Sequence, residues 1–229
     1  MTAKILEIFR SIQGEGQYAG YKQVFVRFFE CNMHCVWCDT PHSIGDTTRR
    51  YDDMRIDEIV EKVNTLWDHS HSVTLTGGEP LLQPQAVFSL AKKLRSAQRP
   101  IHLETNGTLS EAMEKVAEVI DVVSMDLKLP SSTACQPYWK EHNAFLQAAA
   151  HKELFVKVVI SKTTTDEDFY QAVDLVRLHN PTRPFIIQPN TYDLADGVMK
   201  RCLQFEEHAS KQLKNVRLLP QVHKMMKIR

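Results

Sequence analysis

Two kinds of hydrophobic pattern take turns along most of this chain, and each predicts its own secondary structure. Short runs of Val, Ile, Leu and Phe with few polar residues predict β-strands that are buried on both faces. Between these runs, apolar residues recur at every third or fourth position, as at Ile56, Ile59 and Val63, which predicts helices with one buried side. The predicted strands cover residues 23–29, 72–76, 101–104, 122–127, 154–160, 185–188 and 216–219; the predicted helices cover 56–67, 84–97, 138–150 and 198–213, and two more begin at Ser110 and Thr165.

The alternation of strands and helices predicts an α/β fold, in which helices cover a sheet of parallel strands. The helix near residue 165 has a good start signal, because Thr165 can cap it and three acidic residues follow in its first turn. No internal repeat or linker divides the 229 residues, so we predict one domain over residues 1–229. The pattern alone permits both an open sheet and a closed barrel.

Composition and charge exclude several broad classes of protein. Lys and Arg together number 28, as do Asp and Glu, so the net charge gives no general attraction to nucleic acid or to an anionic membrane. The first residues contain no apolar run typical of a signal peptide, and no run reaches the length of about eighteen residues that spans a bilayer. Five cysteines without an export signal indicate a reducing compartment, so we expect a cytoplasmic protein whose clustered cysteines bind metal.

Polar residues cluster directly after four of the predicted strands. The clusters are Gly77-Gly78-Glu79-Pro80, Glu104-Thr105-Asn106-Gly107, Asp126-Leu127-Lys128 and Gln188-Pro189-Asn190. Because active sites gather at the carboxyl ends of barrel strands, we expect these clusters to belong to one site. The two glycines of the first cluster would let the backbone approach a ligand, and Glu79 could accept a hydrogen bond from an amine, although the same four residues also suit an ordinary turn.

Three of the five cysteines form a C-x3-C-x2-C pattern, at Cys31, Cys35 and Cys38. Three thiolates suit a metal that prefers sulfur, and in a four-iron cubane they would leave one iron open to an exogenous ligand. Trp37, directly before the third cysteine, would shield one side of that iron. The competing interpretation is structural zinc with a nearby histidine (His34 or His42) as fourth ligand, but the second C-x2-C pair that such sites usually contain is missing.

Together with the glycine cluster, the cysteine pattern resembles the radical S-adenosylmethionine (SAM) superfamily, whose motifs are C-x3-C-x-(aromatic)-C and Gly-Gly-Glu-Pro. Further motifs, spread along nearly the whole chain, are similar to those of the 7-carboxy-7-deazaguanine synthase family. They are residues 5–16, which end in Gln13-Gly14-Glu15-Gly16, then Phe25-Val26-Arg27, Cys38-Asp39-Thr40, Thr76-Gly77-Gly78-Glu79-Pro80, Glu104-Thr105-Asn106-Gly107, residues 126–132, which begin with Asp126-Leu127-Lys128, and Leu219-Pro220-Gln221-Val222-His223-Lys224. The resemblance implies a partial (β/α)6 TIM-type barrel of about six mainly parallel strands, with the cluster and SAM at the carboxyl ends of those strands.

The resemblance also implies a reaction. A [4Fe–4S] cluster binds SAM at its open iron and cleaves it reductively, and the 5′-deoxyadenosyl radical abstracts hydrogen from the substrate. The substrate is 6-carboxy-5,6,7,8-tetrahydropterin, whose ring contracts to 7-carboxy-7-deazaguanine with loss of ammonia, on the path to queuosine and other deazapurines. Mg²⁺ is required, and SAM acts catalytically. We further expect a homodimer, a flavodoxin- or ferredoxin-type electron donor, and neither a nucleic-acid nor a membrane partner.

Residues are assigned to each ligand by the same resemblance. Cys31, Cys35 and Cys38 hold the cluster; Thr40 contacts Mg²⁺; SAM is bound by Trp37, Cys38, Asp39, Gly78, Glu79, Asp126, Leu127, Lys128 and Gln188; the pterin is bound by Ile12, Gln13, Gly14, Glu15, Arg27 and Thr76. Arg27 suits this role because a guanidinium can bind a carboxylate in a bidentate manner, although a strand-edge surface residue would give the same pattern. No residue is assigned as a general acid or base.

Two other functions are compatible with parts of the pattern. An activase that installs a glycyl radical on a partner enzyme would share the cysteines and the glycine cluster but would not need Gln13, Glu15 or Arg27. A zinc- or cluster-binding interaction module would leave residues 76–80 and 126–128 unexplained. The chain also departs from some family members, which have Ser-Pro-Lys at residues 126–128, or a glycine-containing tail whose carboxylate reaches the substrate, a role that we do not assign to Arg229.

Overall fold

The computed structural model describes residues 1–45 and 51–228, and Arg229 lies outside the described residues. The strands in the described part are β1 (Thr2–Ile12), β2 (Lys22–Phe28), β3 (Asp52–Arg55), β4 (Ser72–Gly77), β5 (Ile101–Thr105), β6 (Val122–Asp126), β7 (Glu153–Ile160), β8 (Phe185–Pro189) and β9 (Val216–Leu218). The α-helices there are α1 (Ile56–Leu66), α2 (Pro84–Ser96), α3 (Ser110–Val116), α4 (Pro130–Thr133), α5 (Trp139–Ala148), α6 (Asp166–His179), α7 (Val198–Ser210) and α8 (Val222–Met226). Every predicted strand and helix is present, with its ends shifted by at most a few residues.

The described strands form one sheet in the order β3-β1-β2-β4-β5-β6-β7-β8-β9. β2 and β4 to β9 are parallel, whereas β1 is antiparallel to both β2 and β3. The prediction of an α/β fold with mainly parallel strands is confirmed, but it omitted the antiparallel edge of the sheet. β1 was missed because it is only partly buried, so Lys4, Glu7 and Arg10 interrupt its apolar residues.

The helices contribute apolar faces to the core, as their periodicity predicted. In α2 the buried apolar residues Val87, Leu90, Ala91 and Leu94 recur at helical spacing. The predicted start of α6 is also confirmed, because the Thr165 hydroxyl accepts a hydrogen bond from the backbone N–H of Asp168 at 3.3 Å. In the described part of the chain, no helix combines the length and the apolar character needed to cross a membrane.

The sheet is open, with β3 and β9 at its edges, but it curls enough for residues after β1 to meet residues after β9. The Val222 N–H donates to the Gly14 carbonyl at 2.8 Å, and the Gln221 amide donates to the Glu15 carboxylate at 2.6 Å. On the same segment, the Tyr18 ring packs near the amino ends of the parallel strands, 5.4 Å from the ring of His102. Residues 13–18 therefore fill the amino end of a partial barrel and leave its carboxyl end open.

Candidate active site

A single cleft, called here the central cleft, lies at the carboxyl ends of the parallel strands and reaches down to residues 13–15, which form its floor. The predicted site residues that line it are Ile12, Gln13, Gly14, Glu15, Arg27, Cys31, Cys35, Trp37, Cys38, Asp39, Thr40, Thr76, Gly78, Asp126, Lys128 and Gln188. The two others, Glu79 and Leu127, are completely buried and do not line it. Segments far apart in the sequence thus share one site.

The three cysteines follow β2 on a loop that contacts α4. The backbone N–H of Val36 donates to the Thr133 carbonyl at 3.1 Å, which ties the middle of the loop to the end of this helix. Burial raises the pKa of Cys31 and Cys38, and it raises the pKa of Cys35 to about 12. Ionisation of these thiols therefore needs a compensating positive charge, which a bound metal supplies.

The arrangement of the cysteines bears on whether they hold a cluster or zinc. Among the described residues, no cysteine belongs to a group of three potential metal ligands whose atoms all lie within 4.8 Å of one another. A tetrahedral zinc ion would bring its thiolates to about 3.8 Å, because each Zn–S bond is about 2.3 Å long. A cubane cluster occupies the space between its thiolates and keeps them further apart. His34, one candidate for a fourth zinc ligand, is exposed. The arrangement therefore fits an iron–sulfur cluster better than zinc.

Trp37 forms part of the cleft wall beside the cysteines. Its indole N–H donates to the Ser132 carbonyl at 2.6 Å, and the Lys128 ammonium lies 4.9 Å from the ring centroid. A cation at this distance from the ring is attracted to it. The two contacts hold the indole between α4 and the residues that follow β6.

Gly78 contacts the cysteine loop so closely that a side chain would not fit. A Cβ atom at this position would lie 2.1 Å from the Glu30 carbonyl oxygen and 2.8 Å from the Ser43 carbonyl oxygen. The next N–H, that of Glu79, donates to the same Glu30 carbonyl at 2.8 Å. The end of β4 and the cysteine loop are therefore held together through backbone atoms, with Gly78 lining the cleft.

The Glu79 carboxylate forms its hydrogen bonds with other groups of the protein. It accepts hydrogen bonds from the backbone N–H of Asn106 at 2.7 Å, from that of Leu81 at 3.0 Å, and from the Thr105 hydroxyl at 3.0 Å. Burial raises the pKa of Glu79 to about 7, and these donors oppose that rise. Glu79 thus connects the ends of β4 and β5, and its assignment as a SAM contact stays a prediction.

A chain of ion pairs links the end of β6 to the floor of the cleft. Asp126 accepts from the ammonium groups of Lys128 at 2.8 Å and Lys157 at 3.1 Å, and Lys157 also pairs with Glu15. Burial disfavours all four charges, but the attraction between them is stronger, so the pKa of Asp126 is lowered, that of Glu15 falls to about 2, and those of both lysines are raised. The four groups stay ionised near neutral pH, and their charges cancel.

Two buried acceptors in the cleft have no hydrogen-bond partner among the described residues. They are Asp126 Oδ1 and Gln188 Oε1. The amide nitrogen of Gln188 donates to Glu15 at 3.2 Å, so the orientation of this amide is set by the floor. Leaving a buried acceptor unpaired costs about 1–3 kcal/mol. A ligand with amino or hydroxyl groups would satisfy both oxygens.

Glu104 joins two of the residues predicted to bind substrate. One of its carboxylate oxygens accepts from the Gln13 amide at 2.8 Å, and the other accepts from the Thr76 hydroxyl at 2.7 Å. Gln13 is almost fully buried and also donates to Gln23 at 3.1 Å. The polar groups on this side of the cleft are therefore fixed by hydrogen bonds to one another.

Arg27 is partly buried and is not the strand-edge surface residue of the competing interpretation. It lies on β2 opposite Glu7 of β1, and its Nε–H donates to the Glu7 carboxylate at 2.9 Å. The guanidinium carbon is 5.9 Å from the centroid of the Phe9 ring. These contacts hold a cationic group at the wall of the cleft.

Oxygen and nitrogen ligands suited to a cation lie near Thr40. The Thr40 hydroxyl donates to Asp39 at 2.9 Å. Ligand atoms of Asp39, Glu15 and His223 all lie within 4.8 Å of one another, and Gln221 donates to Asp39 at 3.3 Å. The predicted Mg²⁺ contact is thus next to two carboxylates, the ligand type that Mg²⁺ prefers.

Lys157, Gln221 and His223 line the cleft but were not predicted as site residues. For Lys157 a signal was present, because a charged residue within the apolar strand 154–160 resembles the case of Arg27. Gln221 and His223 belong to the last motif of the resemblance, which had no role attached to it. Their contact with residues 13–15 depends on the curl of the sheet and has no signal in the sequence.

The chain matches known proteins over nearly its whole length. The profile of the Radical SAM superfamily matches residues 26–183. A 7-carboxy-7-deazaguanine synthase of Geobacter sulfurreducens is 34% identical, with 98% of this chain and 97% of that protein covered, and one of Archaeoglobus fulgidus is 33% identical with 100% of both covered. Among solved structures, QueE from Escherichia coli has a similar fold, with a TM-score of 0.70 at 20% identity over 97% of this chain and 95% of that one.

Proposed function

Because the chain belongs to the 7-carboxy-7-deazaguanine synthases of the radical SAM superfamily, we propose that it contracts the ring of 6-carboxy-5,6,7,8-tetrahydropterin to 7-carboxy-7-deazaguanine and releases ammonia. The observation that carries the proposal is that residues from the separate family motifs line one cleft together with the three cysteines. The product is an intermediate on the path to queuosine and other deazapurines. The relatives named above give no support to a glycyl-radical activase.

Cys31, Cys35 and Cys38 fit a [4Fe–4S] cluster, because the three thiols line the cleft and, in the described structure, are not all within 4.8 Å of one another. When bound, the cluster supplies the electron that cleaves SAM, and SAM supplies the radical that starts the ring contraction. Gly78 presents backbone to the cleft without a side chain in the way. The unpaired oxygens of Asp126 and Gln188 accept hydrogen bonds from amino or hydroxyl groups, which SAM contains.

The floor and the β2 wall suit a pterin that carries a carboxylate. Glu15 stays ionised beside Lys157 and can accept N–H groups from the pterin edge, while Gln13 and Thr76 are held in place by Glu104. The Arg27 guanidinium can bind the substrate carboxylate, with its Nε–H held by Glu7. The cleft thus offers the pterin both a carboxylate and a cation.

Mg²⁺ fits the region of Thr40, because oxygen donors predominate there. The Thr40 hydroxyl and the adjacent Asp39 carboxylate are both in the cleft wall. Mg²⁺ keeps several waters and takes substrate oxygens, so a small number of protein ligands is sufficient. Thr40 and Asp39 would hold the ion in the cleft wall, where it would supply positive charge to oxygen atoms of a bound ligand.

The remaining parts of the proposal concern partners and location. One domain over residues 1–229, a homodimer, a flavodoxin- or ferredoxin-type electron donor and a cytoplasmic location are included, without a nucleic-acid or membrane partner. Their support is the family membership together with the balanced charge of the chain.

The test is an anaerobic assay of cluster-reconstituted protein with SAM, reductant, Mg²⁺ and 6-carboxytetrahydropterin, followed by mass spectrometry. We expect 7-carboxy-7-deazaguanine, and we expect Cys31→Ala to abolish it. Arg27→Ala should raise the KM for the pterin about tenfold to a hundredfold, because a hydrogen bond to a charged group contributes about 1.5–3 kcal/mol.

Arg201→Ala is the matched control for Arg27→Ala. Arg201 also pairs with a carboxylate, Asp166 at 2.7 Å, and also lies over an aromatic ring, that of Phe205 at 4.7 Å, but it does not line the cleft. The KM of the Arg201→Ala enzyme for the pterin should equal that of the unmodified enzyme. Cleavage of SAM without any deazaguanine would show that the substrate is wrong, and no cleavage from a fully loaded cluster would refute the radical chemistry.

A further inference from the structure

We propose that Lys157 is a positioning residue that holds the substrate-binding carboxylate of Glu15 in place through a direct ion pair. The inference rests on the proposed function, because it takes Glu15 as a contact of the pterin. Lys157 lies outside every motif that supported the family resemblance. It therefore adds a residue from the middle of β7 to the site.

The placement of Lys157 is unusual for a lysine. Its neighbours on β7, Val156 and Val158, are fully buried, and it pairs with Asp126 of β6 on one side and Ile186 of β8 on the other. Its side chain lines the central cleft and is only 11% exposed. A buried ammonium is destabilising unless opposite charges compensate it. The contacts of the Lys157 ammonium therefore account for a lysine at this position.

Lys157 contacts two carboxylates, which differ in whether another ammonium group is paired with them. Asp126 already has the ammonium of Lys128 at 2.8 Å, closer than Lys157 at 3.1 Å. The other side-chain hydrogen bonds of Glu15 come from two neutral amides, Gln221 at 2.6 Å and Gln188 at 3.2 Å. Removing Lys157 would leave Asp126 with the ammonium of Lys128. Glu15 would lose its only ammonium partner among the described residues and keep the two amides, with the imidazole of His223 within 4.8 Å. The specific role of Lys157 is therefore toward Glu15.

The ion pair ties a loop residue to the sheet. Glu15 follows the end of β1, outside the hydrogen-bonded ladder of the strand, so its side chain depends on tertiary contacts for its orientation. Lys157 is fixed by the ladders on both sides of β7. Burial lowers the pKa of Lys157, but the carboxylates of Asp126 and Glu15 raise it more, so its ammonium stays charged. Small displacements of a group that orients substrate lower rates substantially.

The experiment compares KM values for the two small molecules in cluster-loaded enzyme. Lys157→Met should raise the KM for the pterin about tenfold or more, while the KM for SAM and the rate of SAM cleavage without pterin change less than about threefold. Lys157→Arg should recover part of the loss. Lys152→Met is the control. Lys152 is a partly buried lysine just before the same strand, and its ammonium donates to the Ile120 carbonyl at 2.9 Å, away from the cleft. It should match the unmodified enzyme.

The same substitution in a Glu15→Gln background shows whether Lys157 positions Glu15 or contacts the pterin itself. In Glu15→Gln enzyme, Lys157→Arg should leave the KM for the pterin unchanged, because the carboxylate that it positions is gone. An undiminished effect there would mean that Lys157 touches the pterin itself and would overturn the inference. The comparison of Lys157→Arg with and without Glu15→Gln also tests the positioning role if Lys157→Met fails to fold or to load a cluster.

Two further results would overturn the proposal. One is a KM for the pterin in Lys157→Met within about twofold of the unmodified enzyme, and the other is an equal rise in the KM for SAM, which indicates general damage. If the unmodified enzyme makes no deazaguanine, the proposed function fails and this inference fails with it. If the unmodified enzyme is active and Lys157→Met behaves like it, only the inference fails.

Discussion

Replacing Glu79 with glutamine should change how the stability of the cluster-free chain depends on pH. Glu79 is completely buried at the junction of β4 and β5, and its carboxyl group is surrounded by N–H and O–H donors. Its pKa is raised from the ordinary value of 4.5 to about 7, chiefly because burial disfavours the charged form. Glutamine has nearly the same shape but does not titrate, so the comparison isolates the ionisation of one group.

The direction of this pH dependence follows from whether the folded or the unfolded chain binds the proton more tightly. Below pH 4.5 the carboxyl group is protonated in both the folded and the unfolded chain, so it has no pH-dependent effect. Between pH 4.5 and 7 the folded chain keeps a proton that the unfolded chain loses, so the folded state becomes less stable as the pH rises. Above pH 7 the effect is complete and amounts to about 3 kcal/mol. The hydrogen bonds that glutamine fails to make contribute an offset that is constant with pH.

Urea denaturation of the reduced, cluster-free proteins at pH 5, 6, 7 and 8 measures this effect. Relative to Glu79→Gln, the free energy of unfolding of the unmodified chain should fall by about 2.5 kcal/mol between pH 5 and pH 8. Glu114→Gln, which alters an exposed carboxylate on α3, should give a small and constant difference. A difference between Glu79→Gln and the unmodified chain that does not vary with pH would refute the argument, because it would show that the donors outweigh burial.

Two other substitutions test the contacts that shape the site and the core. Gly78→Ala should lower the unfolding free energy by about 1–3 kcal/mol and weaken SAM binding at least about tenfold, because its Cβ would meet the Glu30 carbonyl at 2.1 Å. The control is Gly20→Ala, because Gly20 has φ +97 and an added Cβ would meet no atom within 4 Å. This substitution should lower the unfolding free energy by about 1 kcal/mol and leave SAM binding intact. An equal loss of SAM affinity in both variants would contradict the steric explanation. Phe169→Ala should cost about 3–5 kcal/mol in urea denaturation, because its buried ring stacks on Phe205 at 4.0 Å; a loss under about 1 kcal/mol would show that the core closes around the gap.

Most of the fold was predictable, because local pattern and burial agree along the parallel strands. β2 and β4 to β8 contain buried apolar runs, whereas β9 has only three residues and its Arg217 is exposed. The helices between the strands show the period expected of one buried face. The antiparallel edge was not predictable in the same way. β1 is partly exposed and mixes charged with apolar residues, and β3 has four residues of which only Met54 is buried. Short or partly exposed strands lack the continuous apolar run that marked the others.

The candidate site was predictable as a set of residues but only in part as an arrangement. Motif spacing and resemblance gave the cysteines, Glu15, Arg27, Gly78 and Asp126. Neither could show that the Glu79 carboxylate would be used to join two strands. Hydrogen-bond partners of a buried group depend on which backbone ends meet it, and that is a property of the packed sheet.

Local sequence is enough to define three features of this protein: the alternation of strands and helices, the three-cysteine pattern and the polar residues after the strands. These features lie within short stretches of chain, where spacing and residue type are sufficient. Long-range packing brings Glu15 to Lys157, 142 residues away in the chain, and places Asp126 between two lysines. Such pairs form because the curled sheet brings distant segments together and excludes water around them, and no local pattern encodes that curvature.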